Sequence, residues 1–146
     1  MSAVNVVAEI AIAAEPTDVA GVMFDPAREP EWIEAVTAVD VIDKAIRPGA
    51  RVKHAATVKG FAVAWTTTVE SFQFPHMLTL RIAEGSFNGT VQYQVGRGGT
   101  GSIARVAITG DAALPALLPA AMITGKAREA LEGYLARLKV IVETPA

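Results

Sequence analysis

The sequence contains no cysteine. It can therefore form no disulfide, no zinc-thiolate site and no thiol nucleophile. Histidine is almost as scarce: His54 and His76 are the two present, with no carboxylate at ligand spacing from either, so no metal site is expected. Charge is thin as well. Charged residues make up 19% of the chain, against about 25% in an ordinary soluble domain. The net charge of −2 leaves no basic excess to grip nucleic-acid phosphates. The longest apolar run, Ala112 to Ile123, is interrupted by Pro115 and Pro119. It falls well short of the roughly 20 residues that a membrane-spanning helix needs. The first strand-like stretch carries Glu9 and no basic residue, unlike the positive start of a signal peptide. These absences lead to the expectation of a soluble, cytoplasmic protein with no membrane span and no nucleic-acid partner.

Familiar catalytic motifs are missing too. Gly96 to Gly101 holds four glycines in six residues, but a strand follows it. It thus lacks the helix N-terminus that would hold a phosphate, and a hairpin is expected. Ser71, Ser86 and Ser102 have no Gly-x-Ser-x-Gly context, so no hydrolase elbow is present. No motif implies a cofactor.

What is present is apolar substance. Apolar residues make up 51% of the 146 residues. That excludes disorder, and a single domain of this size, residues 1–146, buries about 70% of its unfolded surface.

Val4, Val6, Ala8, Ile10 and Ile12 alternate and predict a first strand. Glu15-Pro16-Thr17-Asp18 opens a short helix, since proline is suited to the first helical turn. Asp25-Pro26 caps and starts a second, barely two turns long. Val36 to Ile42 reads as a strand, followed by the turn Arg47-Pro48-Gly49. From Ala50 to Lys59 the alternation is cleanest. Val52, His54, Ala56 and Val58 share a face with Ala50, and Arg51, Lys53, Ala55, Thr57 and Lys59 share the other. Phe61, Val63, Trp65, Thr67 and Val69 predict the inward face of the next strand, which Pro75-His76 breaks before Leu78, Leu80 and Ile82. Gly85-Ser86 and Asn88-Gly89 are alternative turns. Val91, Tyr93 and Val95 mark another strand, and Ile103 to Thr109 the last.

The C-terminal region changes period. Leu131, Leu135, Leu138 and Val142 line one face of a helix predicted from about Leu117 to Val142. Gly125 and Gly133 within it predict a bend or a close approach to the sheet. The segment between the last strand and this helix, Ala112 to Met122, reads either as a gate to an internal space or as a packed connection. The economical packing is an antiparallel sheet curved around the helix, with leftover space as a cavity.

Several residues in this order resemble a known family. They are Ile10-x-Ile12-x-Ala14-x-Pro16-x-x-Val19, then Phe24-Asp25-Pro26 with Glu31-Trp32, Val39-x-Val41, Pro48-Gly49 before a strand, and Val69-Glu70-x-Phe72-x-x-Pro75-x-x-Leu78. The pattern resembles the START-like, or Bet v 1-like, helix-grip superfamily (SRPBCC). Within it, the chain is similar to the polyketide cyclase/dehydrase group of small bacterial proteins. The resemblance spans essentially the whole chain. It implies an α+β helix-grip fold, with about seven antiparallel strands wrapped around one long C-terminal helix and two short helices after the first strand. It also implies a pocket rather than one reaction, because members include polyketide cyclases, lipid and sterol carriers, hormone receptors and co-chaperones. Aromatic polyketide cyclases of this kind place arginine and tyrosine in the cavity. Here Arg51, Arg81 and Arg105 fall on the outward faces of their strands, a departure from that pattern.

His54 stands mid-strand on the apolar face. A histidine there serves as a general acid or base, as a donor to a ligand, or as a satisfied core residue. Tyr93 could donate to a ligand oxygen, and Trp65 could stack on a flat ring. Trp32 is expected to pack at the cavity mouth. Asp40 and Asp43 are expected to be solvated. The expected ligand-lining set is Val52, His54, Val63, Trp65, Thr67, Leu80, Tyr93, Leu131 and Leu135.

The leading expectation is a protein that binds or transports a hydrophobic small molecule: a lipid, polyketide or isoprenoid. The alternative is a cyclase or dehydratase in which His54, aided by Tyr93, moves a proton. A second alternative is a co-chaperone-like interaction module. Ligand identity and oligomeric state are left open.

Overall fold

The alternating segments assemble into one antiparallel sheet in a computed structural model, which describes residues 2–58, 60–84, 87–112 and 120–144. The strands are β1 (Ser2–Ile12), β2 (Val36–Val41), β3 (Arg51–Val58), β4 (Phe61–Gln73), β5 (Met77–Glu84), β6 (Phe87–Gly98) and β7 (Gly101–Ala112). The helices are α1 (Pro16–Met23), α2 (Glu29–Trp32) and α3 (Ala120–Glu143), with a 3-10 turn at Pro26–Arg28 before α2. The seven strands lie in the order β1-β7-β6-β5-β4-β3-β2. Consecutive strands pair as hairpins from β2 to β7, and β1 closes onto β7 from the other end of the chain. No described helix is long and apolar enough to cross a membrane.

The period-two pattern in β3 predicts its burial. Val52, His54 and Ala56 are buried, while Arg51, Lys53 and Thr57 are exposed. In β4 the pattern holds over only part of the strand. Thr67 and Val69 are buried and Trp65 is half-buried, but Phe61 and Val63 are exposed. The reason is position. Helix α3 packs chiefly on β1, and β3 and β4 lie at the far side of the sheet order. The β3–β4 hairpin therefore continues past the cover that buries its base.

Asn88 and Gly89 lie within β6, so the Asn88-Gly89 turn does not form. The connection falls on residues 85–86, outside the described residues. Gly89 instead sits opposite Gly110 of β7. A Cβ at Gly89 would lie 2.1 Å from the Thr109 carbonyl oxygen, so only glycine allows this approach of the two strands.

The stripe on α3 meets the sheet as its spacing predicts. Leu135 and Leu138 are fully buried, with Leu131 and Val142 packed partly against the same core. Of the two expectations for Gly125 and Gly133, the close approach to the sheet is not met. Both are exposed, and an added Cβ would meet no atom within 4 Å, so neither marks a close approach. The expected start of the helix at Leu117 and most of the expected gating segment fall on residues 113–119, outside the described residues. The C-terminal end of α3 is tied back to the strand it covers: the Ala13 N–H donates to Glu143 Oε2 at 2.8 Å.

Candidate functional site

The sheet is too wide and too curved for one helix to fill. Between it and α2 and α3 lies a cavity of about 310 Å³. Its wall is mainly aliphatic and aromatic. The polar groups on it come from Glu29, His54, Thr67, Tyr93 and Tyr134, with the indoles of Trp32 and Trp65.

Glu29 reaches the wall because the chain is forced to turn there. Asp25 caps the 3-10 turn, its Oδ1 accepting the Ala27 N–H at 3.0 Å. Pro30 then occupies the first turn of α2, where its missing N–H costs nothing. Glu29 and Trp32, three residues apart, share the inward face of this short helix, and both are buried. The outward face carries an exposed Arg28–Glu31 pair at 2.9 Å. Arg137 of α3 pins the element from outside, Nε donating to the Glu31 carbonyl at 2.5 Å.

His54 is the hub. Its Nδ1 lies 2.9 Å from Glu29 Oε1, and its Nε2 lies 2.9 Å from Thr67 Oγ1. With Glu29 ionised, Nδ1–H donates to the carboxylate, and the Thr67 hydroxyl donates to Nε2. One face of the imidazole stacks on Trp65, its cross-strand partner, with centroids 5.1 Å apart and planes 6° from parallel. The ring is therefore held by both nitrogens and by a face, a fully satisfied buried polar chain.

Tyr93 stands edge-on to Trp32, with ring centroids 5.7 Å apart. Burial pushes its phenol well above the ordinary value, and the Glu29 carboxylate pushes it in the same direction. It thus stays a protonated donor, and its hydroxyl has no hydrogen-bond partner among the described residues. The indole Nε1 of Trp32 is buried and also lacks a partner there.

Of the residues expected at the wall, His54, Trp65, Thr67, Leu80, Tyr93 and Leu131 line the cavity. Val52 and Leu135 do not. Both are packed in the core, at 0% and 1% exposure, with no face left toward the open space. Val63 is off the wall for the opposite reason, at 42% exposure on the uncovered hairpin. Trp32 lies on the wall, a buried part of the core rather than a rim residue.

Glu29 was not legible from sequence spacing, which places no carboxylate near either histidine. Tyr134 was hidden between core positions of α3. The outward placement of Arg51, Arg81 and Arg105 holds, and no arginine or lysine is among the described lining residues. Asp43 is not simply solvated. It accepts the Arg51 backbone N–H at 2.8 Å and approaches the Arg51 guanidinium at 3.3 Å. His76 is exposed and away from this cluster. Among the described residues no three His, Asp or Glu side chains gather as a metal would require.

Comparison with solved structures gives the same fold throughout. A protein from Thermus thermophilus, TTHA0849, superposes with a TM-score of 0.78 at 21% identity, covering 94% of this chain and 96% of that one. A START superfamily protein from Mycobacterium smegmatis gives 0.79 at 16% identity, covering 95% and 97%. The di-domain ARO/CYC protein BexL of the BE-7585A biosynthetic pathway gives 0.79 at 18% identity; 99% of this chain matches 51% of that one. No curated protein matches the sequence. The family model described as polyketide cyclase/dehydrase and lipid transport matches residues 3–143. With that match across nearly its whole length and the START and Bet v 1 fold around an apolar cavity, the chain belongs to the polyketide cyclase/dehydrase and lipid-transport family.

Proposed function

We propose that the protein binds a small, largely apolar molecule between the sheet and α3, with the polar end of that molecule at Glu29, His54 and Tyr93. The observation that carries this reading is the cavity itself: about 310 Å³ of space, walled by apolar side chains, with its polar atoms gathered on a few residues. That combination is what small-molecule sites share. Affinity would come mainly from apolar area removed from water, at about 25 cal/mol per Å². The volume lies near the lower end of ligand pockets, which run from about 300 Å³ upward. It favours one compact ring system or a short chain over a two-chain lipid.

Native mass spectrometry of the purified protein, followed by denaturation and extraction, tests the reading. A defined extra mass that is released on unfolding is the expected result. A protein that stays free of ligand and gains no mass with any apolar probe would refute it.

A second reading has its own observation. The Glu29–His54–Thr67 chain has the arrangement of a base oriented by a carboxylate, so the transfer of a substrate proton to His54 Nε2, through the Thr67 hydroxyl or in its place, as in a cyclase or dehydratase, is supported chemically. In that case His54→Gln abolishes turnover while binding survives. Parallel loss of both would favour the carrier.

A further inference from the structure

The chain has two tryptophans and two tyrosines, and all four line this one cavity. They share its wall with Glu29, the only formally charged side chain among the described lining residues apart from what His54 can carry. Glu29 Oε1 is engaged by His54, but Oε2 has no hydrogen bond among the described residues. No lysine or arginine of the described wall offsets this carboxylate. An anionic ligand, such as a fatty acid, would bring a second negative charge beside Glu29 into a space of low polarity, where like charges repel strongly. A cation gains twice. It meets Glu29 Oε2, which has no partner among the described residues, and it is bordered by electron-rich rings, which attract positive charge.

We infer that the ligand of this cavity is a small hydrophobic amine, its ammonium group set against Glu29 Oε2 among Trp32, Trp65, Tyr93 and Tyr134. The inference rests on the reading of the cavity as a ligand site and narrows it to one ligand class. It separates this site from a fatty-acid carrier, whose cavity would need a buried cation where Glu29 stands. Nδ1–H of His54 holds the carboxylate in place, and the stack on Trp65 holds His54, so the acceptor is fixed before any ligand arrives.

Because both tryptophans lie on the wall, intrinsic fluorescence reports occupancy without a label. Three probes of one shape suffice: phenethylamine, phenethyl alcohol and phenylacetate, titrated against the intact protein at neutral pH, with naphthalene as an uncharged control for the space itself. The amine is expected to bind about tenfold tighter than the alcohol, and phenylacetate weakest. Glu29→Gln should remove the amine's preference, bringing the amine to the level of the alcohol measured in the same variant. The alcohol or phenylacetate binding as tightly as the amine would overturn the inference and leave the ligand-site reading standing. An amine preference that survives Glu29→Gln would do the same. Failure of all four compounds to bind would overturn the inference and strike ring-bearing ligands from the ligand-site reading. The comparison among probes uses the unaltered protein, so it stands even if the variant does not fold.

Discussion

Glu29 and His54 are 25 positions apart in the chain and 2.9 Å apart in the fold, both buried. A carboxylate taken out of water is costly unless it is paired, and a histidine on an apolar strand face needs partners for two nitrogens. Each solves the other's problem. The short helix that carries Glu29 is thereby fastened to the far strands of the sheet.

The pair should behave as one unit in stability. His54→Leu leaves Glu29 buried without its partner and should cost about 3 kcal/mol. The double change Glu29→Met with His54→Leu removes the stranded charge and should recover most of that loss. Urea unfolding of the original protein and both variants measures it. A double variant no more stable than the single one would show that the two residues are not coupled.

Tyr93 makes alkaline pH a probe of the site. Its phenol is held well above the ordinary value by burial first and the Glu29 carboxylate second. Above about pH 10 the unfolded chain ionises this tyrosine while the folded protein still holds it protonated, so unfolding is favoured as pH rises. The stability contribution is complete below that pH and is lost above it. Unfolding free energy should fall between about pH 10 and 11 more steeply in the original protein than in Tyr93→Phe. Equal slopes would contradict the assignment.

Two glycine-to-alanine changes should have opposite signs. At Gly89 the new Cβ would press on the Thr109 carbonyl oxygen and the Gly110 backbone, so the strands must part. A loss of about 2 kcal/mol or more is expected. At Gly133 the Cβ meets nothing within 4 Å in mid-helix, and Gly133→Ala should gain about 0.5–1 kcal/mol. Thermal unfolding followed by circular dichroism separates the two.

Apolar residues predicted inward alike should differ in cost according to where the helix covers them. Leu138 is fully buried, and Leu138→Ala should lose about 2–5 kcal/mol. Val63, exposed on the β3–β4 hairpin, should lose no more than about 0.5 kcal/mol on change to alanine. A large loss at Val63 would mean that the hairpin is covered in solution.

Much of this architecture is legible in the chain because its signals are local. Alternation around His54 sets β3, Asp25-Pro26 sets the turn into α2, and the leucine spacing sets α3. The inward set of the site follows from the same periodicity, which is why His54, Trp65, Thr67 and Tyr93 are readable. Glu29 is not, for a physical reason. It sits in Arg28-Glu29-Pro30-Glu31, a charged stretch that looks solvated, on a helix too short to show a period. Its burial comes from a strand 25 positions away. The one available hint is reciprocal: a histidine placed inward on β3 demands a partner, and the short helices are the elements free to supply it. Val63 errs in the other direction. Parity reports which face a residue is on, not how far the helix extends over that face.

The pairing of β1 with β7 sets the order in which the protein can be completed. Ser2 pairs with Ala112, and Ile12 with Ser102. At ordinary rates of synthesis, β1 leaves the ribosome on the order of ten seconds before its last partner residues exist. The hairpins from β2 onward can form as they emerge, but the first strand must wait with an apolar face and an open edge. Loop closure of that length is slow, and an unpaired strand edge is an invitation to aggregation. Of the seven strands, β1 waits longest between its own synthesis and its pairing, and until β7 emerges it is the strand whose edge most needs shielding.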